Sequence, residues 1–160
     1  MNRHDVGESP VDVRDEFDFE MDMQAAARSR MPVLISGSPR CALMLAQSIA
    51  GRLSRAERNM RILTCDVGDC ADLETEFTLA SAPTRSPRAS ILLLREVHAL
   101  TETGQALLRG LMANRALDAP RVFASSSVPL YKRVADGLFD TELFYYLNAI
   151  HIVTSEAPHA

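Results

Sequence analysis

The chain has 160 residues, 47% of them hydrophobic and 24% charged, with a formal net charge of −4. This is the composition of one domain able to bury a core, and it gives no support to a broadly basic nucleic-acid binder or a membrane-spanning protein. Three cysteines without a C-x-x-C pair, no apolar leader and no histidine pair at ligand spacing predict a cytoplasmic protein with reduced thiols and no zinc site.

Residues 1–22 carry eight acids against Arg3 and Arg14, leaving 13 acids and 15 basic residues in the remainder. Residues 1–15 are predicted to be a flexible acidic arm. It is either a solvated tail or a cover for Arg52, Arg55, Arg58 and Arg61. A helix of open start follows and ends near Arg30, favoured by the alanines at 25–27. Five short apolar runs come next, at Pro32–Ser36, Arg61–Cys65, Ile91–Leu94, Arg121–Ala124 and Ala149–Val153. The first four read as parallel strands covered on both faces.

Between these runs the pattern is helical. Ala42, Ala46, Ile49 and Leu53 share a face in 42–54, and Leu107, Leu108, Leu111 and Met112 share one in 101–114, with Thr101 as N-cap. Asp69 is a candidate cap for a short helix carrying Leu73 and Phe77. Residues 128–147 read as two short helices broken around Asp136 and Gly137. Residues 81–90, with two prolines, read as a loop. Strands alternating with helices predict an α/β sandwich on a parallel sheet.

The first strand, loop and helix have the layout of a phosphate-binding loop without its chemistry. Such a loop needs glycines whose backbone N–H groups cradle the anion, then a lysine and a hydroxyl. Here Gly37 is the only glycine, Pro39 removes a donor, and no lysine follows. Arg40 is either an anion contact or a solvated arginine. A nucleotide hydrolase also needs an acid at the end of a central strand to hold Mg²⁺. Arg95 stands there, followed by Glu96, which has the right type to orient water but also reads as half of a surface pair. Ser127 ends the fourth strand, either as a polar sensor or as a turn cap. His98 and His151 have no partner visible in the sequence.

Several segments match one family in order. Val33–Ala50 is similar to V-L-I-T-G-E-S-G-T-G-K-E, and Cys65–Phe77 to N-C-A…L-x-E-S-E-L-F. Ser90–Met112 is similar to G-T-L-F-L-D-E-I-G-E-L…Q-A-x-L-L-R-x-L, and Arg121–Leu130 to R-V-I-A-A-T-N-R-D-L. The best match is Gly137–Asn148, to G-R-F-R-E-D-L-Y-Y-R-L-N. Over roughly residues 25–153 the chain therefore resembles the AAA+ domain of bacterial enhancer-binding proteins, the NtrC-type activators of sigma-54 RNA polymerase.

That resemblance implies a P-loop NTPase, AAA+-like three-layer sandwich with a five-stranded, mainly parallel sheet. The fifth run should lie beside the first, followed by the fourth, third and second. It places an AAA+-like core at 16–155 and a tail at 156–160, with the helical lid absent. A vestigial nucleotide pocket falls on Gly37, Arg40, Ala42, Arg95, Glu96 and Ser127, and a protomer interface on Gly137, Phe139, Asp140 and Tyr146. The departures lie at function. The lysine position falls on Ala42 or Leu43, the metal-linked acid on Arg95, the sensor asparagine on Ser127, and the two trans-acting arginines on Asp140 and Tyr146. The G-A-F-T-G-A loop that touches sigma-54 finds no counterpart, because the span from Phe77 to Ser90 is too short for it.

The expectation is a non-catalytic module in transcription regulation. It would bind no cofactor, metal or DNA, and would contact an AAA+ enhancer-binding protein or itself, without direct contact to sigma-54. The alternative is a residual ATP or nucleotide binder with weak or no hydrolysis, in which Arg40 and Arg95 replace lysine and Mg²⁺.

Overall fold

The computed structural model describes residues 13–55, 57–65, 73–77, 90–115 and 119–154. Residues 1–12, Asp69 with its expected cap, the loop at 81–89 and the tail from 155 lie outside the described residues, as does most of the span between Phe77 and Ser90. The strands are β1 (Val33–Ser36), β2 (Met60–Thr64), β3 (Ile91–Arg95), β4 (Arg121–Ser126) and β5 (Ile150–Val153). They form one sheet in the order β2-β3-β4-β1-β5, and every pairing is parallel. The helices are α1 (Val13–Arg28), α2 (Pro39–Gly51), α3 (described over 73–77), α4 (Glu102–Ala113), α5 (Leu130–Ala135) and α6 (Thr141–Leu147), with a short 3₁₀ turn at Val97–Ala99.

The period-2 alternation of the strands divides the core between two faces. Val33, Ile35, Ile91, Leu93, Phe123 and Ile152 pack with Met23 and Ala26 of α1 and with Ala42, Ala46 and Ile49 of α2. Leu34, Leu92, Leu94, Val122 and Ala124 point the other way, onto Leu73 and Phe77 of α3, Leu108 and Met112 of α4, and Leu143 and Leu147 of α6. Helices on both faces of a parallel sheet make the predicted three-layer α/β sandwich.

Local signals place the helix ends. Ser38 caps α2, its hydroxyl accepting from the Cys41 N–H, and Pro39 occupies the first turn, so the helix starts three residues before the apolar periodicity does. Thr101 caps α4 as expected, accepting from the Gly104 N–H. Gly137, at φ 72°, ends α5 in the left-handed region and makes the predicted break.

Two expectations are corrected. β2 is not covered on both faces. It is an edge strand with one neighbour, β3, and its Arg61, Ile62 and Thr64 are exposed. Arg61 reaches out to Glu76 at 2.8 Å, as suits an edge. Helix α1 begins at Val13, inside the stretch assigned to the arm.

Candidate functional site

In an open parallel sheet the side chains that meet a ligand gather beyond the carboxyl ends of the strands. Here that edge runs through Thr64, Arg95, Ser126, Ser36 and Val153 in strand order. The connection after β1 crosses toward β2 and the connection after β4 crosses back past β1 to β5, so the direction of winding reverses beside β1.

The loop at the end of β1 is two residues long, Gly37 and Ser38. Its neighbouring donors serve the fold. The Gly37 N–H donates to the Ser126 carbonyl (3.1 Å), the Ala42 N–H to the Ser38 carbonyl (2.9 Å), and the Cys41 N–H to Ser38 Oγ (3.2 Å). Gly37 has φ 153°, and a Cβ added to it would lie 1.8 Å from Thr154 Oγ1. Thr154, anchored by its N–H on the Ser36 carbonyl at 2.9 Å, fills the space over the glycine. Arg40 is exposed on the first turn of α2. Ala42 is only 1% exposed and faces the core cluster of α1, α2 and the sheet.

At the end of β3, Arg95 is half-buried, and its Nε is buried without a partner among the described residues. Glu96 follows at φ 56°, ψ 50°, and is the one non-glycine residue with positive φ among the described residues. That backbone state costs about 1–3 kcal/mol. It turns the carboxylate toward β4, where Ser127 Oγ donates to Glu96 Oε2 at 2.6 Å. His98 Nε2 lies 3.4 Å from the same oxygen, and His98 Nδ1 lies 3.0 Å from Ser126 Oγ. Ser126 Oγ donates its proton to the Val128 carbonyl at 2.6 Å, so the His98 Nδ1–H is the donor in their contact. Burial lowers the His98 pKa below the ordinary histidine value, the Arg133 charge adds to this, and Glu96 opposes it. The imidazole is therefore neutral at pH 7. Acid, imidazole and hydroxyl lie in sequence, but the Ser126 hydroxyl is 1% exposed and its proton is held by Val128. With the proton on Nδ1, the bare Nε2 faces the Glu96 carboxylate and makes no hydrogen bond to it, so the row is not a nucleophile with its base.

Sequence reasoning missed both histidine contacts. Ser36 Oγ lies 2.7 Å from His151 Nε2, and burial lowers the His151 pKa against the opposing charge of Asp22. The partners are 28 residues apart for His98 and Ser126 and 115 apart for Ser36 and His151. Only the strand order joins them, so no local spacing announces either pair. The structure thus brings Glu96 and Ser127 together and seats Gly37 against Thr154. Ala42 is turned into the core.

The second predicted set lies on the 137–146 segment. Phe139 is buried and Gly137 exposed. Asp140 caps α6, with Oδ1 accepting from the Leu143 N–H, while Oδ2 pairs with Arg109 of α4. Its own N–H donates to Gln105 Oε1 at 2.8 Å. Both carboxylate oxygens are held within the chain. Tyr146 donates its hydroxyl to Glu142 Oε1 at 3.2 Å, and this bond to the carboxylate raises the phenol pKa. Tyr131, Leu138 and Tyr145 are exposed along the same stretch, Tyr145 at 72%. Among the described residues, no group of three or more His, Cys, Asp or Glu could hold a metal ion, and no helix is long and apolar enough to cross a membrane.

Residues 17–155 match the model of the sigma-54 interaction domain family. No curated protein sequence matches the chain significantly. Among solved structures, NtrX from Brucella abortus in complex with ATP superposes with a TM-score of 0.66 at 18% identity, covering 95% of this chain and 38% of that one. The P-loop NTPase domain of a sigma-54 activator from E. coli gives 0.64 at 17% identity, covering 88% of this chain and 94% of that domain. The RuvB Holliday junction branch migration motor of Thermotoga maritima gives 0.54 at 21% identity, covering 88% of this chain and 44% of that one. The chain thus spans about two fifths of the NtrX polypeptide, and these likenesses are of fold.

Proposed function

The chain belongs to the sigma-54 interaction domain family, and from that premise we propose that it is a member that does not hydrolyse ATP and acts in transcription regulation through protein contacts. The observation that carries this reading is the guanidinium of Arg95 at the end of β3 beside a Glu96 whose carboxylate is held by Ser127. A cation at that end would meet positive charge. The other polar groups agree. The Gly37 N–H is bonded to the Ser126 carbonyl, Thr154 fills the space above Gly37, and the lysine position implied by the resemblance falls on Ala42 or Leu43 of α2. These side chains do not fit a magnesium triphosphate, and no hydrolytic step is assigned to them. A trans-acting arginine supplies roughly 10³–10⁵ in rate in nucleotide hydrolases, and its positions here hold Asp140 and Tyr146.

The segment offered to a partner is 131–145, where Tyr131, Leu138 and Tyr145 are exposed; aromatic residues of this kind anchor interfaces. The partner class is a genuine AAA+ enhancer-binding protein or a second copy of this chain. Asp140 supports the domain from inside and is not free to replace an arginine in a neighbour's site. A second reading, residual nucleotide binding without metal, has in its favour the exposed Arg40 and the Nε of Arg95, buried without a partner among the described residues.

Calorimetry of the purified chain with ATP, with and without Mg²⁺, separates the readings. The first expects no heat of binding in either case. Binding without metal would favour the second, and magnesium-dependent binding with phosphate release would overturn both. Recovery of sigma-54 activators, or self-association, weakened by Tyr145→Ser would support the contact surface.

A further inference from the structure

The opposite edge of the sheet, where the strands begin, holds a second polar cluster. Arg121, the first residue of β4, is 7% exposed. Its Nε donates to the Met31 carbonyl at 3.0 Å, and its guanidinium carbon lies 4.9 Å from the centroid of the Phe123 ring. Its Nη2 is buried without a partner among the described residues. Arg115, just past α4, donates from Nη2 to the Arg30 carbonyl at 3.4 Å, and its Nη1 is also buried and without a partner among those residues. Arg30 and Met31 are consecutive, so the two guanidinium groups are gathered on adjacent carbonyls.

Among the described residues, the charges that act on Arg115 and Arg121 have one sign. Arg30 and Arg115 both act on Arg121, and Arg30 acts on Arg115. Burial, then those like charges, lowers the Arg121 pKa to about 10, so it remains a cation at pH 7. No described carboxylate forms an ion pair with Arg115 or Arg121. Glu57 feels the Arg30 charge, but its Oε2 is bonded to the N–H and hydroxyl of Ser54. Buried cations without a counterion cost several kcal/mol each. Two guanidinium groups held on consecutive carbonyls, each with a spare N–H donor, have the chemistry that recognises the oxygens of phosphate.

We propose that Arg115 and Arg121, flanked by Arg30, bind a phosphate-class oxyanion at the amino-terminal edge of the sheet, remote from the strand ends where this family's nucleotide pocket would lie. The spare Nη atoms of Arg115 and Arg121 are the donors to the anion, while Nε of Arg121 and Nη2 of Arg115 keep the forks in place. The anion is either free or carried on a monoester.

The test follows the arginine side-chain N–H signals of the full chain by NMR during titration with sodium phosphate, against sodium chloride at equal ionic strength. A saturable shift of the Arg121 signal with phosphate alone is expected, and Arg115→Gln should weaken it about tenfold, as loss of one charge-assisted contact would. Arg115 is chosen because replacing the more deeply buried Arg121 risks unfolding. Phenyl phosphate is run in parallel: affinity equal to phosphate supports a site open to esters, and exclusion supports a site for the free anion. An identical response to chloride would overturn the proposal.

Discussion

Gly37 is needed because Thr154 occupies the place where any side chain would go. Gly37→Ala is expected to destabilise the domain by about 1–3 kcal/mol, as overpacking does. Thr154→Ala in the same chain should recover part of the loss, since it removes Oγ1 and leaves Cβ, 3.0 Å from the added atom. Urea denaturation of the two single variants and the double variant measures that coupling. His98 gives a second test. Its pKa in the folded chain lies below the ordinary histidine value of about 6.5, chiefly through burial, so the unfolded chain binds the proton more tightly. Its contribution to stability is therefore complete above about pH 6.5 and is lost as pH falls through the lower folded value. Urea midpoints between pH 7.5 and 5 should fall less steeply in His98→Gln than in the parent chain. A parallel fall in both would count against a neutral buried imidazole. At this scale the residue types at Gly37, Arg95 and Glu96 were legible in the sequence. Their partners were not, because Thr154, Ser127 and Ser126 reach them through strand order and not through spacing.

The helix–loop–helix face shows how one side chain can order several elements. Gln105, on α4, donates from Nε2 to the Leu100 and Leu138 carbonyls, both at 3.1 Å, and accepts the Asp140 N–H on Oε1. One turn further along α4, Arg109 holds the Asp140 carboxylate. The Q-A-L-L-R run that carried the family resemblance thus positions the start of α6. Gln105→Leu keeps the volume but leaves those groups unpaired, and should cost at least about 1–3 kcal/mol. A urea midpoint within error of the parent would show that the amide is dispensable. Element types were well read because parallel strands are continuous apolar runs and because Ser38, Pro39, Thr101 and Gly137 are strong end signals. The misreading of β2 has a physical cause. An edge strand with Ile62 and Leu63 has the same local composition as a buried one, and it is strand order, which the resemblance already gave with this run last, that separates them.

At the scale of the whole molecule, two apolar layers on either side of one sheet account for the fold. The polar groups described above lie at the two edges of that sheet, outside those layers. This is why family membership fixes architecture here while the chemistry must be argued from Arg95, Glu96 and Thr154. The placement of β1 carries a further consequence. Its two neighbours, β4 and β5, come from the far end of the chain, with Val33 beside Phe123 and Ile150. Closing such distant pairings is slow, and refolding after dilution from urea should fall in the millisecond-to-second range by stopped flow, not the microsecond range of helical bundles. During synthesis β1 emerges before both of its neighbours and waits with both backbone edges bare until residues 121–153 have left the ribosome. The domain is therefore most exposed to aggregation before β4 and β5 have emerged.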